Sequence, residues 1–432
     1  MSRLLYTFVF SLLLPIIVLH LLWRSLRAPA YRLRWRERFG CFSAPAFHAN
    51  QPVIWLHAVS VGETLAAVPL VKKLRHDNPD WQWVITTTTP TGSERVRASF
   101  GDTVFHVYAP YDLPIFLRNF LQRTQPQCAI VMETELWPNM LHSCKQRNIP
   151  VIIANARLSE KSARGYKKVA PLTHKMLNDV ALVAAQQHTD GVRFMHLGLP
   201  RENLVVTGSI KFDLVIDATT REKAAALREQ WSLNHTRKIL LAASTHLGED
   251  EIILQAFQQI RATQPDLLLV IVPRHPERFD SVSKQCAAAG FSVVRRSYNT
   301  VPTSNIDIVI GDTIGELLVF YGAADIAFVG GSLVPVGGHN LIEPAAWACP
   351  VISGSHLFNF SEVEKLLCDN RALAIADNAE QIATQVTQWL SDESARRAFG
   401  ERGKAVADSN RGALAKLCEQ IQRQMLSTKK AA

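Results

Sequence analysis

Three glutamates lie directly after predicted buried strands in the first half of the chain, where carboxylates could act as acids or bases. Glu63 ends the loop after strand 53–57, and Glu133 and Glu135 follow strand 128–132. In parallel sheets, ligands bind at the carboxyl ends of the strands. The positions of Glu63 and Glu133 therefore predict carboxylates that face a substrate cleft.

The same glutamates also have structural interpretations. Ser60 and Glu63 have the spacing of a capping box, in which the Glu63 carboxylate would accept a hydrogen bond from the backbone N–H of Ser60. Glu135 lies where it would complement the N-terminus of the next helix, whereas Glu133 precedes that helix. The sequence leaves both interpretations of Glu63 open.

One lysine lies at the junction between the two halves of the chain. Lys211, in the stretch 208–213, is a candidate to meet a phosphate or a carboxylate as a point charge. An ordinary solvated surface lysine is the alternative, and the local sequence does not decide between them.

Three segments at predicted strand ends in the second half favour a nucleotide site. Arg274 has a guanidinium that can bind a phosphate through two hydrogen bonds. Segments 312–316 and 337–344 each open a predicted helix, and free backbone N–H groups at helix starts bind anions. Glu343 could accept hydrogen bonds from ribose hydroxyls. Glycines at 330, 331, 337 and 338 would let the backbone approach a phosphate closely.

Several common motifs are absent from the sequence. No GxGxxG fingerprint follows the first strand and no Walker A lysine motif is present, which argues against a dehydrogenase and a P-loop enzyme. No HExxH motif or cluster of histidines and cysteines predicts a metal. We therefore expect no metal cofactor at the site.

Short apolar strands alternate with helical stretches, which predicts parallel sheets covered on both faces. The predicted strands are 53–57, 83–87, 128–132, 151–154, 181–185, 204–207, 238–243, 267–272, 292–294, 306–310, 326–329 and 351–353. The pattern breaks near 209–220 and then starts again. We predict two doubly wound α/β domains, 25–209 and 210–432, that face each other across a cleft.

An apolar segment precedes the first domain. Residues 4–23 carry no charge, and a run of about 20 apolar residues is long enough to cross a bilayer. Arginines at 24, 27, 32, 34, 36 and 38 follow, which favours a cytoplasmic location for this flank and contact with anionic lipid. Residues 1–24 are predicted as a membrane anchor. Pro15 and His20 weaken a spanning helix, so a helix that lies in the interface remains an alternative.

Composition restricts the compartment and the partners. The seven cysteines are scattered singly, which indicates free thiols in a reducing compartment. The net charge of +9 comes largely from the arginine flank, and no basic stretch interleaved with aromatic residues predicts nucleic-acid binding. A cleaved signal peptide is disfavoured because the arginines follow the apolar run.

Seven stretches, in order along the chain, resemble one family. They are HAVSVGE (57–63), METELWPN (132–139), NARLS (155–159), PRHPER (273–278), GDT (311–313), FVGGS (328–332) and GGHN (337–340). Together they are similar to the 3-deoxy-D-manno-octulosonic acid (Kdo) transferases of lipopolysaccharide synthesis. The stretch 334–336 and Leu341-Ile342 depart from the family pattern, where the backbone is expected to make the contacts.

The resemblance implies two Rossmann-like domains in the glycosyltransferase B-type fold, CMP-Kdo as donor and a lipid A precursor, lipid IVA, as acceptor. It implies Glu63 as the catalytic base, with Glu133 and Lys211 stabilising the transition state. It also implies CMP contacts at Pro273, Arg274, Ile314, Gly315, Glu316, Asn340, Leu341, Ile342 and Glu343. The location implied is the cytoplasmic side of a bacterial inner membrane. The alternatives are a UDP-sugar transferase or epimerase of the same architecture, and a membrane adaptor without activity.

Overall fold

The computed structural model of the protein describes residues 2–233 and 236–431. The chain forms two compact units. Unit 1 comprises Met1–Asp213 and Gly412–Ala432, and unit 2 comprises Leu214–Arg411.

Each unit is built around a seven-stranded sheet in which all paired strands are parallel. The strands of unit 1 are β1 (Val53–His57), β2 (Gln82–Thr87), β3 (Phe105–Tyr108), β4 (Cys128–Met132), β5 (Val151–Ala156), β6 (Leu182–Ala185) and β7 (Leu204–Val206). Those of unit 2 are β8 (Ile239–Thr245), β9 (Leu268–Pro273), β10 (Val293–Arg295), β11 (Ile308–Ile310), β12 (Ile326–Val329), β13 (Val351–Ser353) and β14 (Leu373–Ile375).

Helices connect these strands. In chain order they are α1 (Arg3–Arg27), α2 (Val61–Asp77), α3 (Pro90–Phe100), α4 (Pro114–Thr124), α5 (Pro138–Lys145), α6 (Glu160–Lys167), α7 (Ala170–Asn178), α8 (His188–His196), α9 (Ala218–Trp231), α10 (Glu249–Arg261), α11 (Phe279–Ala288), α12 (Leu317–Ala323), α13 (Ile342–Ala346), α14 (Ser361–Asp369), α15 (Ala379–Ser391), α16 (Glu393–Ser409) and α17 (Ala413–Ala431).

The strand order places a topological switch point at the centre of each sheet. Unit 1 has the order β3-β2-β1-β4-β5-β6-β7, so successive strands are added on one side of β1 up to β3 and on the other side from β4 onward, and the switch point lies between β1 and β4. Unit 2 has the order β10-β11-β9-β8-β12-β13-β14, so its switch point lies between β8 and β12. Ligands of doubly wound sheets bind beyond the carboxyl ends of the strands at such points.

The predicted α/β class and the twelve predicted strands are confirmed, with shifts at their ends. The two strands that were not predicted, β3 and β14, lie at sheet edges. β3 has the sequence FHVY and is only half buried at Phe105 and His106, and β14 has three residues. An edge strand has one neighbour, so it does not need the continuous apolar run that identifies a central strand.

The last helix belongs to unit 1, which differs from the predicted domain 210–432. Residues 413, 417, 418, 421 and 425 of α17 join the core cluster that includes Ile54 and Leu70. The Asp213 carboxylate accepts hydrogen bonds from Gly412 N at 2.5 Å and Leu414 N at 2.6 Å. These contacts fix the start of α17 against the end of the N-terminal half, and the boundary falls at 213 instead of 209.

Helix α1 is long and apolar enough to cross a membrane, on the criteria of length and composition alone. It begins after Ser2, whose hydroxyl accepts a hydrogen bond from Leu5 N. Many of its apolar side chains are exposed, including Leu4, Phe8 and Leu12.

Two of the arginines predicted to meet lipid are instead part of the folded unit. Arg34 pairs with Glu37 at 2.7 Å and donates to the carbonyl oxygen of His106. Arg38 is buried, donates to the carbonyl oxygen of Thr88, and lies over the Tyr108 ring. The prediction that the whole arginine flank faces lipid is therefore wrong at these two positions.

We predict that Ile421→Ala lowers the stability of unit 1 by about 2–5 kcal/mol, because it leaves a cavity in a fully buried site. Hydrogen exchange should show faster opening of amides in β1 and α2, with those of β8 unchanged. Leu426→Ala, at a position 62% exposed on the same helix, is the control and should have little effect. Faster exchange in unit 2 alone would contradict the assignment of α17.

Candidate active site

Glu63 lies in the first turn of α2, at the carboxyl end of β1. One carboxylate oxygen accepts from the Ser60 hydroxyl at 2.8 Å, and the other accepts from Val59 N at 2.7 Å. Ser60 in turn caps the helix by accepting from Glu63 N at 3.2 Å. The predicted capping box therefore forms, except that Glu63 binds the backbone N–H of Val59 and not that of Ser60.

The Glu63 carboxyl has an unusual proton affinity. Burial raises its pKa to about 7, against the lowering effect of the hydrogen bonds from Ser60 and Val59, and the charges of Glu135 and Glu133 raise it further. A carboxylate with a pKa near neutrality can take up a proton and still be ionised in a useful fraction of molecules. The capping and catalytic interpretations of Glu63 are thus compatible.

Glu133 and Glu135 follow β4, which is the strand next to β1 across the switch point. Glu133 has a left-handed backbone with φ of 57°, and its N–H donates to the carbonyl oxygen of Ala154. Glu135 accepts from the Trp137 indole at 2.8 Å. Helix α5 begins only at Pro138, so the expectation that Glu135 complements a helix N-terminus is wrong.

Lys211 lies half-buried in a short 3-10 turn, Ile210–Phe212. The turn is attached to the centre of the unit 1 sheet because Ile210 N donates to the Asn155 side-chain oxygen at 3.1 Å. Asn155 lies on β5, beside β4, and has a φ of 54°. The structure therefore places the segment of Lys211 near the carboxyl ends of the central strands, which Glu63 and Glu133 also follow.

In unit 2, Pro273 is the buried last residue of β9, and Arg274 is exposed directly after it. Arg274 N donates to the carbonyl oxygen of Thr245 on the neighbouring strand. Arg278, from the same sequence stretch, instead pairs with the buried Asp250 and is structural. Of these two arginines, Arg274 is the one available to a ligand.

Three histidines surround the Arg274 region at the ends of adjacent strands. The His246 and His339 rings stack with centroids 5.1 Å apart, and His275 packs edge-on against His246. Burial lowers the pKa of His339 to about 4, and the nearby His246 and Arg274 lower it further. Burial lowers the pKa of His246 as well, so both stacked rings favour the neutral form and Arg274 supplies the positive charge.

Segment 312–316 is arranged differently from the prediction. Helix α12 begins at Leu317, so no helix opens at Ile314. Ile314 and Gly315 are exposed, and Gly315 has a φ of 89°. Glu316 accepts from Thr313 and pairs with Arg296 at 3.0 Å. A ligand could meet the exposed loop at 314–315, but no helix N-terminus supports it there.

Segment 340–343 is also less helical than predicted, since α13 begins at Ile342 and has five residues. The side chains of Leu341 and Ile342 are buried in the core, so only their backbone can meet a ligand. Asn340 donates to Glu343 at 3.1 Å, and burial raises the pKa of Glu343. The Asn340 hydrogen bond and the charge of Arg274 act in the opposite direction and lower it.

A fully buried glutamate that the sequence analysis overlooked holds this region together. The Glu249 carboxylate accepts four backbone hydrogen bonds, from the N–H groups of His246, Gly331, Ser332 and Leu333 at 2.7–3.0 Å. It thereby connects the loops after β8 and β12 at the switch point. A Cβ atom on Gly330 would lie 2.8 Å from its carboxylate, which explains the glycine there. In the sequence, the run of three acidic residues at 249–251 after Gly248 is the feature that could have identified Glu249.

We predict that Glu249→Gln lowers the free energy of unfolding of unit 2 by about 2–6 kcal/mol. An amide has one acceptor oxygen, so two buried N–H groups lose their partner, at about 1–3 kcal/mol each. Glu251→Gln is the matched control, because it removes the same charge from the same helical turn at an exposed position. Denaturant titration with hydrogen exchange at 331–333 measures both. Equal stability of the two variants would contradict this role.

Among residues 2–233 and 236–431, no group of three or more His, Cys, Asp or Glu side chains is arranged to hold a metal ion. The expectation that the reaction needs no metal stays a prediction.

Comparisons with known proteins agree with this architecture. Residues 33–214 match the family described as 3-deoxy-D-manno-octulosonic-acid transferase, and residues 225–406 match glycosyl transferases group 1. The structure resembles the UDP-GlcNAc 2-epimerase of Neisseria meningitidis, with a TM-score of 0.57, 14% identity and coverage of 86% of this chain and all of that one. It also resembles a glycosyltransferase of Rickettsia africae, with a TM-score of 0.56, 15% identity and coverage of 89% and 100%. These likenesses show the glycosyltransferase B-type fold.

Two sequence relatives cover nearly the whole chain. The 3-deoxy-D-manno-octulosonic acid transferase of Haemophilus influenzae is 44% identical over 97% of this chain and 98% of its own. The enzyme of the same description from Bordetella pertussis is 35% identical over 96% and 97%. Identity of this extent across both units shows common family membership. The chain therefore belongs to the 3-deoxy-D-manno-octulosonic acid transferases and is a glycosyltransferase.

Proposed function

We propose that the protein transfers Kdo from CMP-Kdo to a lipid A precursor, lipid IVA, with inversion at the anomeric carbon. The observation that carries the proposal is the buried Glu63 carboxyl, whose pKa is about 7, at the switch point of a Kdo-transferase fold. Membership of the Kdo transferase family indicates the sugar that is transferred. The acceptor and the stereochemistry are inferred from the residues described below.

Glu63 acts as the general base in this proposal. A hydroxyl of the acceptor sugar attacks the anomeric carbon of Kdo, its proton passes to the Glu63 carboxylate, and the bond from that carbon to the CMP phosphate oxygen breaks. A single displacement of this kind inverts the anomeric centre. Base assistance contributes roughly 10²–10⁴-fold to such steps.

Other groups stabilise the charges of the reaction. Lys211 is proposed to neutralise the Kdo carboxylate or the departing phosphate, and Glu133 to stabilise positive charge that develops on the sugar. Arg274 is proposed to bind the CMP phosphate, with contacts from Pro273, from the exposed loop 314–316 and from the backbone at 340–343. Glu343 is proposed to accept a hydrogen bond from a ribose hydroxyl. A metal is not needed for these roles.

The acceptor is inferred from the N-terminal helix. Lipid IVA lies in a membrane and carries anionic phosphates, and α1 presents an apolar surface followed by the exposed Arg24, Arg32 and Arg36. We propose that the catalytic units work on the cytoplasmic side of a bacterial inner membrane. Incubation with CMP-Kdo and lipid IVA, followed by product mass after limited and exhaustive reaction, tests the function and counts the sugars added.

We predict that Glu63→Gln lowers kcat by about 10²–10⁴-fold while CMP still stabilises the protein against heat, because the base and the nucleotide site are separate groups. Glu94→Gln, an exposed change on α3, is the control. CMP should protect the folded wild-type protein and UDP should not. Wild-type turnover by Glu63→Gln would disprove the base, and protection by UDP alone would disprove the donor.

The pH dependence gives a second test. The base works when ionised, so kcat/KM should rise about tenfold per pH unit below the pKa of about 7 and level off above it. Glu135→Gln keeps an acceptor oxygen for Trp137 but removes a charge that raises the Glu63 pKa. The rising limb should therefore move to lower pH in this variant. A limb that moves to higher pH would contradict the electrostatic coupling.

A further inference from the structure

Both ends of helix α1 are attached to the same folded unit. At its first turn, Arg3 Nη1 and the Thr7 hydroxyl each donate to the side-chain oxygen of Asn139 at 3.0 Å. The Tyr6 hydroxyl faces the Asp112 carboxylate and lowers its pKa, and the Tyr6 ring packs against the unit 1 core. The start of α1 is thus bound to the corner between α4 and α5.

This corner is an interior part of unit 1. Asn139 and Asp112 are both buried, and Asp112 accepts from Asn139 N at 3.0 Å and from Met140 N at 2.7 Å at the start of α5. The Asn139 side chain also donates to the carbonyl oxygen of Asp112 at 2.7 Å. The residues that receive the first turn of α1 are therefore fixed to the fold and are not a mobile surface.

The other end of α1 is attached as well. Ser25 is buried, and its hydroxyl accepts from Arg32 Nε at 3.0 Å. The chain then reaches Arg34 and Glu37, and the Glu37 carboxylate accepts from Tyr108 N on β3 at 2.9 Å. The chain is consequently held to unit 1 at residues 3–7 of the helix and again at residues 34–38, just beyond the end of the helix.

Between these attachments the helix has two distinct faces. The outward face, here called the apolar stripe, is exposed and consists of Leu4, Phe8, Leu12, Ile16, Leu19, Trp23 and Leu26. Their separations of three and four residues place them on one side of the helix. On the opposite side, residues 3, 6, 7, 10, 14, 17 and 21 are partly exposed and residue 25 is buried.

A spanning helix is incompatible with these contacts. A helix of 25 residues is about 37 Å long, and crossing the hydrocarbon core would put residues 3–7 about 30 Å from the side that holds unit 1. Asp112 and Asn139 could then not reach them. We propose that α1 does not cross the bilayer but lies in its cytoplasmic interface, with the apolar stripe among the acyl chains and the opposite side on unit 1.

The charges beside the stripe identify the membrane surface as anionic. Arg34 and Arg38 are used inside unit 1. Arg24, in the last turn of the helix, and Arg32 and Arg36, just beyond the helix, are exposed. Cations beside an apolar helix face favour binding to anionic headgroups, with the apolar side chains about 5–10 Å into the interface. The inference concerns the membrane surface and does not depend on the identity of the sugar donor.

The location of the N-terminus tests the inference. Ser2→Cys is made in a background where the exposed Cys41 and Cys368 are replaced by Ser. In spheroplasts of a Gram-negative host, a membrane-impermeant maleimide should label position 2 only after lysis. Leu33→Cys, exposed beyond the helix, is the matched control for the cytoplasmic side. Labelling of position 2 in intact spheroplasts, with Leu33→Cys protected, would overturn the proposal.

A further measurement tests the partner. Purified protein should float with vesicles of phosphatidylcholine and 30% phosphatidylglycerol better than with phosphatidylcholine alone. Arg24→Gln and Arg36→Gln should each weaken this binding about fivefold. Association into dimers without flotation would assign the stripe to a second copy and overturn the proposal.

Discussion

A glutamate that reaches back from the first helical turn to backbone N–H groups organises the switch point of each sheet. Glu63 does this after β1 and Glu249 after β8, the first strands of their units. The two differ in the number of donors they receive. Glu249 accepts four backbone N–H groups and has no capacity left for chemistry. Glu63 accepts one backbone N–H and one hydroxyl, which do not offset its burial.

This difference gives the two carboxylates different protonation properties. A buried carboxylate is stable in its charged form when hydrogen bonds replace the lost water, and otherwise its pKa rises. Glu249 fixes the glycine loop 330–333 beside Arg274, so it acts through the backbone that it holds. Burial keeps the pKa of Glu63 elevated, and the neighbouring charges of Glu135 and Glu133 raise it further. Three residues with left-handed backbone, Glu133, Asn155 and Ser244, also lie at or just beyond the carboxyl ends of central strands. Each such conformation costs roughly 1–3 kcal/mol.

The sequence was sufficient for the central strands, because β1, β4 and β8 are continuous apolar runs buried on both faces. It was insufficient where the decisive partner is distant along the chain. Glu249 looked like an ordinary first-turn residue, since three of its four donors come from residues 82 to 84 positions away. The helix starts at 314 and 340 were predicted from glycine and acidic residues, which also form non-helical turns. The arrangement of α17 depended on core contacts with β1 and α2 that no local pattern reveals.

The placement of α1 is another case in which distant contacts decide what local composition cannot. Length and hydropathy are the same for a spanning helix and for one lying in the interface, so residues 4–23 alone leave the choice open. The contact with Asn139, more than 130 residues away, distinguishes the two arrangements, because its side-chain oxygen accepts hydrogen bonds from both Arg3 and Thr7. Asp112 adds to this constraint: burial raises its pKa to about 6, and its hydrogen bonds from α5 and from Tyr6 lower it. Withdrawing the first turn of α1 would remove the Arg3 and Thr7 hydrogen bonds from the buried Asn139 and would expose the partly covered side of the helix. The same contacts that secure the helix therefore oppose its passage across a bilayer.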